Sequence, residues 1–508
     1  MKSIVILYKS QNDYQQLPLF NGKDALTLTK EAFEGIDCLK NVEIKTIEGA
    51  KSLGDVLELM CEAAKNAQAE NVVFSYADCP FINKNLTEKI LDAHIKYKAE
   101  YTFADGYPYG FSPEVINAGT LNILKELSKT TQNGLGQELM DRESLFNLIK
   151  TDINSFEIET VLADTDWRLY RFAFHCGKYE NYSACRSLFE VKNTDDVEEL
   201  SKLASENPHI IKTVPGFYNI QICDGINADS IYLPYKSAYE AKNKLSPVNN
   251  KNNMSYENFS KLIEKINDFS KEAVIGLSAW GEPLNHPDFT KIIEKVLSYK
   301  GLSVFIETDG FNVTEEIAAC LGKINENACN RTNGWKKLMV AVTMDSVTEE
   351  KYEELHGCKG LQKAKNAVEM LEKYIPGCVY PMFTRINHNE PELEAFFRFW
   401  NEKDSPSKGE CIIQKYDNFA GLLPEWKPAD LSPLDRNVCW HIRRDMTIYS
   451  NGDVPLCRTC LYENIGGNVF EQSLEEIWKK SDDLIKDHMN NKFNNKCGKC
   501  DEWYTFNF

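Results

Sequence analysis

Residues 273–283 read AVIGLSAWGEP, an uncharged run of eight residues that leads directly into a Gly-Glu-Pro turn. Such a run predicts a buried β-strand, and the segment HPDFTKIIEKVLS that follows at 286–298 has the apolar spacing of an amphipathic helix. A strand, a turn and a helix in immediate succession are typical of parallel sheets with helical crossovers.

The same alternation continues through the middle of the chain. Helical segments separate the strand-like runs, and Ser255 and Thr314 are predicted to cap two of these helices. The six runs are FYNIQIC (217–223), AVIGLSAW (273–280), LSVFIET (302–308), KLMVAVTMD (337–345), VYPMFTRI (379–386) and CIIQKYD (411–417). Six strand–helix units predict a partial (βα)6 barrel, whose functional residues should lie at the C-terminal ends of the strands.

The overall composition is that of a globular protein with an excess of acidic residues. The chain has 508 residues, 43% hydrophobic and 26% charged, with a formal net charge of −18. The negative charge argues against nucleic-acid partners and anionic membranes, because proteins usually contact both through basic surfaces. The apolar run IVILY near the N-terminus is too short for a signal peptide, and no run reaches the ~18 residues of a membrane helix. We therefore expect a cytoplasmic protein.

Changes in composition divide the chain into three predicted domains. The first, 1–205, alternates strand-like and helical segments, which predicts a parallel sheet with helices on its faces. The second, 206–430, contains the barrel. A proline-rich linker, LLPEWKPADLSPLDRN, leads into the third, 431–508.

The third domain contains five cysteines at spacings that metal sites use: Cys439, Cys457, Cys460, Cys497 and Cys500. Four thiolates suit a 4Fe–4S cluster, with one cysteine for each iron. A structural zinc site with four cysteine ligands is the alternative. The 36 residues between the two Cys-x-x-Cys pairs (461–496) exceed the usual gap of a zinc ribbon, which favours the cluster.

The Gly-Glu-Pro turn resembles the GGEP motif of radical S-adenosylmethionine (SAM) proteins. Trp280 stands where that motif has its first glycine. The resemblance implies that Gly281, Glu282 and Pro283 hold the amino group of SAM, and that Arg385 lies near the SAM ribose or carboxylate. Two further strand ends are similar to the TNG and SLD sequences of that family: ETDG (307–310) and VTMDS (342–346).

The third domain resembles the SPASM extension found on peptide-modifying members of that family. Twelve residues separate Cys439 from Gly452 and four separate Gly452 from Cys457, as in the SPASM layout. Asn451 and Gly452 predict a two-residue hairpin turn between strand-like arms. The resemblance favours a 4Fe–4S cluster over zinc, with Cys439, Cys457, Cys497 and Cys500 as ligands and Cys460 as the alternate.

Radical SAM chemistry requires another cluster, held by a Cys-x3-Cys-x2-Cys loop after the first barrel strand. Family members commonly read CNxxCxYCP there, whereas this chain reads INADSIYLP at 226–234. Ile226, Ser230 and Leu233 occupy the three cysteine positions, and none of them supplies a thiolate. We expect that the SAM-cleaving cluster has been lost. A residual pocket could still bind SAM or another small molecule.

Residues 72–117 resemble the nucleotide-sugar transferase (GT-A-like nucleotidyltransferase) fold. The resemblance implies that Asp78, in VVFSYADCPF, holds Mg²⁺ against nucleotide phosphates and is a candidate catalytic residue. The glycine-rich phosphate loop of that fold is missing, because no glycine precedes Gly22. The alternative is that Asp78 is only an acidic residue at a helix N-terminus.

The three domains together most resemble the spiro-SPASM proteins. The leading hypothesis is an iron–sulfur protein with a role in binding, assembly or electron transfer. Two enzymes are the alternatives, namely a radical SAM peptide- or sugar-modifying maturase with unusual ligation, or a nucleotidyltransferase with accessory domains. The expected partners are a peptide, protein or sugar-nucleotide ligand and a redox partner.

Overall fold

The chain divides after Thr213 into two compact units, each with its own main β-sheet. The structure, a computed structural model, describes residues 2–11, 14–50, 52–130, 135–248, 252–331, 335–463 and 465–505. Within these ranges no helix is both long enough and apolar enough to cross a membrane.

The first unit consists of one sheet and the helices that pack on it. Its strands are β1 (Ser3–Tyr8), β2 (Ile44–Ile47), β3 (Asn71–Tyr76), β4 (Tyr101–Asp105), β5 (Glu114–Asn117) and β6 (Ile158–Leu162). Its helices are α1 (Ala25–Glu34), α2 (Leu53–Ala67), α3 (Lys84–Tyr97), α4 (Ala118–Thr130), α5 (Ser144–Lys150), α6 (Tyr179–Val191), α7 (Val197–Ser205) and α8 (Pro208–Ile211). The strand order is β2-β1-β3-β5-β4-β6.

One strand of this sheet departs from the predicted parallel arrangement. β1 pairs in parallel with β2 and β3, and β4 pairs in parallel with β6. β5 runs antiparallel to both β3 and β4. Only residues 106–113 connect β4 to β5, and a parallel return needs a crossover of roughly a dozen residues or more. The prediction of a parallel sheet is therefore wrong for β5.

The second unit contains the predicted barrel and the cysteine-bearing region. Its strands are β7 (Phe217–Ile220), β8 (Ala273–Leu277), β9 (Leu302–Thr308), β10 (Leu338–Thr343), β11 (Val379–Arg385), β12 (Ile412–Lys415), β13 (Asp445–Ile448), β14 (Asp453–Pro455) and β15 (Ile465–Asn468). Its helices are α9 (Tyr235–Asn243), α10 (Tyr256–Ser270), α11 (Phe289–Leu297), α12 (Glu315–Asn327), α13 (Glu349–His356), α14 (Leu361–Tyr374), α15 (Glu390–Trp400), α16 (Trp440–Arg444), α17 (Leu474–Lys479) and α18 (Asp482–Met489).

The six predicted barrel strands form one parallel sheet in sequence order, from β7 to β12. This arrangement confirms the partial (βα)6 barrel. The predicted helix caps are also present, since the Ser255 hydroxyl accepts a hydrogen bond from the Asn258 amide and the Thr314 hydroxyl accepts one from the Ile317 amide. Such caps satisfy backbone donors in the first helical turn.

The cysteine-bearing region extends the barrel sheet by one strand. β13 pairs in parallel with β7, with Asp445 opposite Phe217. The predicted turn follows, with Gly452 at φ +88° and its amide donating to the Tyr449 carbonyl. The two arms of the turn join different sheets, because β14 pairs with β15 in a separate two-stranded sheet.

Alternate residues of the barrel strands point to opposite faces of the sheet. Ile275 and Val304 pack under the helices in the main core, whereas their neighbours Val274 and Phe305 face the inner side of the barrel. This alternation follows from the two-residue period of a β-strand. The inner face is therefore apolar as well, and it forms the floor of a cavity.

Candidate metal centre and barrel cavities

The C-terminal ends of the barrel strands surround a cavity of about 140 Å³, which we call the mouth cavity. Ile226, Ser230 and Leu233, the three positions of the missing cysteines, line one side of it. Gly281 and Glu282 of the Gly-Glu-Pro turn line another. The structure thus brings together the two motifs that the sequence singled out.

Ser230 is held by a buried polar network. Its hydroxyl lies 2.8 Å from Nδ1 of His356, and Nε2 of His356 lies 3.2 Å from a carboxylate oxygen of Asp345. The Tyr232 hydroxyl donates to the same Asp345 oxygen at 2.5 Å. Both His356 and Asp345 are almost fully buried, so the hydrogen bonds that they form with Ser230 and Tyr232 substitute for contacts with water. The loop that would hold a cluster is tied to α13 and to the end of β10.

The backbone of this loop is also anchored. The Ile231 amide donates to the Leu355 carbonyl at 2.9 Å, and the Glu282 amide donates to the Gly225 carbonyl at 2.7 Å. Gly281 has φ +76°, and a β-carbon there would lie only 1.9 Å from the Cys223 carbonyl oxygen. Glycine is therefore required where the turn meets the loop.

Glu282 serves as a clamp between two strand ends. Its carboxylate accepts hydrogen bonds from the Leu284 amide at 3.0 Å, the Thr308 hydroxyl at 2.8 Å and the Asp309 amide at 3.0 Å. Burial, and then the nearby Asp309 carboxylate, raise the pKa of Glu282 well above its usual value. Pro283 begins a short 3-10 turn directly after it.

An aromatic wall closes the mouth cavity on the side of the turn. Trp280, which replaces the first glycine of the motif, stacks in parallel on Tyr235 with ring centroids 5.6 Å apart. Phe419 packs on Trp280 at 5.5 Å. The Arg458 guanidinium lies 5.1 Å from the centroid of Trp280, within the range of a cation–π contact.

A larger cavity of about 620 Å³, the inner cavity, lies on the inner face of the barrel sheet. Phe217, Phe305 and Met382 form part of its apolar floor. Arg385 lines this cavity and is absent from the lining of the mouth cavity. Its Nε donates to the carboxylate of Glu390 at 2.7 Å, so the chain itself neutralises Arg385.

The five cysteines of the third predicted domain line one small cavity of about 60 Å³, which we call the cysteine cage: Cys439, Cys457, Cys460, Cys497 and Cys500. The sulfurs of Cys457 and Cys460 lie 3.6 Å apart. Burial raises the pKa of the Cys439 thiol to about 12. The hydrogen bond to Cys460, followed by burial, raises the pKa of the Cys457 thiol. Thiols that hold their protons so firmly become thiolates when a metal displaces the proton.

The donor set of the cage fits an iron–sulfur cluster. Thiolate sulfur is the usual ligand of such clusters, and the cage gathers one more thiol than a 4Fe–4S cluster requires. Arg436 donates a hydrogen bond to the Cys497 carbonyl at 2.7 Å, which places a cation beside the ligand loop. The Cys439 amide donates a long hydrogen bond of 3.5 Å to Nδ1 of His488.

Asp78 of the first unit is bound by a cation of the chain. Arg142 donates to both of its carboxylate oxygens, at 2.7 and 2.9 Å, and the Asp78 side chain is only 1% exposed. The Arg142 guanidinium also lies 4.4 Å from the ring centroid of Tyr76. A carboxylate engaged in this way by arginine is not arranged as a metal ligand, so the structure does not support the predicted Mg²⁺ site. The helix-terminus alternative is also wrong, because Asn83 caps α3.

The sequence of one other protein aligns with most of this chain. An uncharacterized protein of Treponema pallidum (strain Nichols) is 35% identical over 373 residues, which are 72% of this chain and 98% of that protein. The chain belongs to the family of this protein. A second uncharacterized protein of the same organism is 36% identical over 75 residues, 15% of this chain and 34% of that protein.

The C-terminal region matches a known domain family. Residues 439–501 match SPASM, described as an iron–sulfur cluster-binding domain. This match contains all five cysteines of the cage and confirms the predicted SPASM domain. A partial barrel followed by a SPASM domain supports the radical SAM/SPASM superfamily, while the spiro-SPASM subtype stays a prediction.

Several solved structures resemble parts of the chain weakly. The structure of anSMEcpe with bound AdoMet has a TM-score of 0.41 at 16% identity, and the match covers 57% of this chain and 84% of anSMEcpe. SuiB of Streptococcus suis, bound to its precursor peptide SuiA, has a TM-score of 0.41 at 14% identity, covering 72% and 85%. A cytidylyltransferase of Leptospira borgpetersenii has a TM-score of 0.35 at 13% identity, covering 42% and 97%. At these TM-scores none of them assigns a ligand to this chain.

Sequence reasoning did not identify several residues of the site. His356 and Arg458 were missed because neither belongs to a motif that the resemblance includes. One feature of the sequence could have pointed to Arg458, namely its place directly after Cys457. His356 lies at the end of α13, and only the fold brings it to Ser230.

Proposed function

We propose that this protein is a SPASM iron–sulfur protein that binds a small molecule or transfers electrons and does not cleave SAM. The proposal rests on the residues that line the mouth cavity. Ile226, Ser230 and Leu233 line it in place of thiolates, and the Ser230 hydroxyl already lies at hydrogen-bonding distance from His356. These residues do not fit an iron–sulfur cluster, since hydrocarbon side chains offer no ligand atom.

The cysteine cage supports the second half of the proposal. We assign Cys439, Cys457, Cys497 and Cys500 as ligands of a 4Fe–4S cluster, with Cys460 as the alternate. When bound, such a cluster supplies one-electron transfer or structural stability. Arg458 and Glu502 line the cage and both barrel cavities, so a molecule in the barrel and a cluster in the cage would contact the same side chains.

Reconstitution under anaerobic conditions tests this function. We expect about four irons and four sulfides per chain, which is one 4Fe–4S cluster. Incubation with SAM and dithionite should release no 5′-deoxyadenosine above a protein-free control. A double variant, Cys497→Ala with Cys500→Ala, should bind no cluster, whereas Cys329→Ala at an exposed site should bind it normally.

Two results would contradict the proposal. About eight irons per chain with SAM cleavage would indicate a radical SAM maturase with unusual ligation. A colourless protein that contains zinc would indicate a structural zinc site in the cysteine cage.

A further inference from the structure

Arg458 occupies a position that links the metal centre to the barrel. It directly follows Cys457, and it lines the cysteine cage, the mouth cavity and the inner cavity. Its guanidinium lies 5.1 Å from the ring centroid of Trp280 and 6.0 Å from that of Phe419. The two rings hold the long side chain against one wall, which limits the conformational entropy that it would lose on binding a ligand.

The guanidinium of Arg458 makes no hydrogen bond among the described residues, although its charge favours the ionised forms of the nearby Glu307 and Asp417 carboxyls. No described carboxylate oxygen lies within 4.0 Å of its guanidinium nitrogens, and its Nε is buried without a hydrogen-bond partner. Guanidinium groups in such surroundings usually bind a carboxylate or phosphate through two parallel hydrogen bonds. A buried donor without a partner is costly, so a ligand that supplies the acceptor gains affinity.

The other cations of the inner cavity are already neutralised. Lys415 forms ion pairs with Asp501 at 3.0 Å and with Glu502, and Lys427 also pairs with Asp501. Arg385 is paired with Glu390, as described above. Among the described residues, Arg458 is therefore the cation of this cavity that has no direct ion pair, and its hydrogen-bond donors are open to an anionic ligand.

The remaining lining restricts the charge and the shape of such a ligand. Glu307 lines the inner cavity beside Arg458, and it would repel a doubly charged phosphate more strongly than a monocarboxylate. The floor is apolar and includes Phe217, Phe305 and Met382. A cavity of about 620 Å³ has the size and the mixed lining of a small-molecule site.

We propose that the inner cavity binds a monocarboxylate with an apolar body, whose carboxylate is held by Arg458 beside the cysteine cage. The proposal specifies the ligand class of the function proposed above and rests on it. A free acid and the C-terminus of an apolar peptide share this chemistry, and either source satisfies the proposal provided that the carboxylate is required.

Calorimetric titration of the cluster-loaded protein tests the proposal with decanoate as the probe. We expect decanoate to bind, and decanol, decyl phosphate and decyltrimethylammonium to bind at least tenfold more weakly. Arg458→Gln should weaken decanoate binding by about 10- to 100-fold, as expected for the loss of a charged hydrogen bond. Arg398→Gln, which removes an exposed guanidinium paired with Glu394, should leave the affinity unchanged.

A second variant keeps Arg458 and fills the cavity. Ile413→Trp at the partly exposed edge strand β12 should also weaken decanoate binding, because Ile413 lines the inner cavity.

A peptide that ends in Leu-Phe, tested as the free acid and as the amide, identifies the source of the carboxylate. If decanoate binds, additional binding of the peptide acid but not of its amide supports a peptide terminus, while binding of decanoate and of neither peptide supports a free acid.

Clear outcomes would overturn the proposal. It fails if wild-type protein binds no decanoate, if decanol binds as tightly as decanoate, or if Arg458→Gln binds decanoate as wild type does. It also fails if Arg458→Gln changes only the absorbance of the cluster, since Arg458 would then serve the metal centre. A protein that holds four irons and spares SAM but ignores decanoate refutes this inference alone. One that cleaves SAM and binds decanoate refutes only the function proposed above.

Discussion

The hydroxyl of Ser230 lies 2.8 Å from Nδ1 of His356. The resemblance to radical SAM proteins places the second cysteine of their cluster loop at the position of Ser230. His356 is only 2% exposed, so the histidine end of this hydrogen bond is shielded from water. Side chains of the protein itself therefore hold this loop in place. This relationship makes the proposal that the loop binds no cluster testable by substitution.

Replacing Ser230 by alanine should destabilise the second unit without changing the iron content. The loss of one buried hydrogen bond costs about 1 kcal/mol, which lowers the melting temperature of a unit of this size by about 1–2 °C. Calorimetry and an iron assay measure the two quantities. Ser298→Ala, at an exposed serine of α11's C-terminal end, is the matched control. Loss of iron in Ser230→Ala would mean that Ser230 is a ligand.

Removing Arg142 should destabilise the first unit strongly. Arg142→Gln leaves the Asp78 carboxylate buried without its cation, and breaking a buried ion pair in this way costs about 3–5 kcal/mol. The double variant Asp78→Asn with Arg142→Gln should recover part of the loss. Arg168→Gln, which breaks an exposed pair with Asp166, should cost at most about 1 kcal/mol.

Calorimetric unfolding of the full chain measures these differences, and Mg²⁺ provides a separate check. Because Arg142 occupies both oxygens of Asp78, millimolar Mg²⁺ should leave the melting temperature of the first unit unchanged. A clear upward shift with Mg²⁺ that Asp78→Asn abolishes would restore the metal site that the sequence predicted.

Substitution of single cysteines should separate the ligands of the cluster from the spare thiol. Cys439→Ser, Cys457→Ser, Cys497→Ser and Cys500→Ser should each lower the iron content, because every iron of a 4Fe–4S cluster needs its own thiolate. Cys460→Ser should retain about four irons per chain. Iron and sulfide assays with absorbance spectra provide the measurement.

The short distance between two of the sulfurs defines the alternative outcome for this series. Since Cys457 and Cys460 lie 3.6 Å apart, either sulfur could bind the same iron. If Cys460→Ser loses the cluster while Cys457→Ser keeps it, the two residues exchange roles. Cys38→Ser, at an exposed thiol of the first unit, controls for the loss of a cysteine as such.

Glu114 should make the first unit less stable as the pH rises from about 4.5 to about 7. Burial raises the pKa of this carboxyl from 4.5 to about 7, so within this window the folded chain holds a proton that the unfolded chain has released. The free energy of unfolding then falls with rising pH, by at most about 1.4 kcal/mol per pH unit. Glu114→Gln should remove this contribution.

A buried histidine acts in the opposite direction over part of the same range. Burial lowers the pKa of His94 from 6.5 to about 4, so its contribution to stability is lost as the pH falls through this window. The comparison of wild type with Glu114→Gln at each pH isolates the carboxyl, because both proteins retain His94. An exposed substitution, Glu58→Gln, should follow the wild-type curve, and a parallel curve for Glu114→Gln would refute the prediction.

Gly281→Ala should disrupt the mouth of the barrel more than a comparable glycine substitution elsewhere. At Gly281 both the positive φ and a contact of 1.9 Å with the Cys223 carbonyl oppose a β-carbon. Gly421 also has a positive φ, +84°, but nothing lies within 4 Å of a β-carbon built there. Gly421→Ala should therefore cost only the backbone strain, about 1–2 kcal/mol.

Thermal melting of both glycine variants gives the comparison. Gly281→Ala should melt well below Gly421→Ala, because the loop that carries Ile226 has to move away from the turn. Equal melting temperatures would contradict this prediction, because they would show that the loop can move away from the turn without a loss of stability.

The sequence predicted the barrel well because its signal is local. Each of the six strands is a short apolar run next to a helical period, and each was found in the predicted place and order. The antiparallel β5 was missed since orientation depends on the length of a connection and on which strand edge is open, and neither shows in the periodicity.

The site was predictable where residues belong to a motif and unpredictable where they meet through folding. The five cysteines and the missing cluster ligands can be read from spacing and resemblance. The bond between Ser230 and His356 spans 126 residues, and the pairing of Asp78 with Arg142 spans 64. No local pattern specifies such contacts.

The sequence by itself determined the strand–helix order, the SPASM cysteines and the absence of thiols at the cluster loop, because these depend on residue type and spacing along the chain. Only the tertiary structure decided that Arg142 takes both oxygens of Asp78, that five cysteines line one cavity and that Arg458 reaches the barrel with its Nε lacking a hydrogen-bond partner. The physical reason is that burial and ion pairing depend on the neighbours that packing supplies. Those neighbours come from distant parts of the chain.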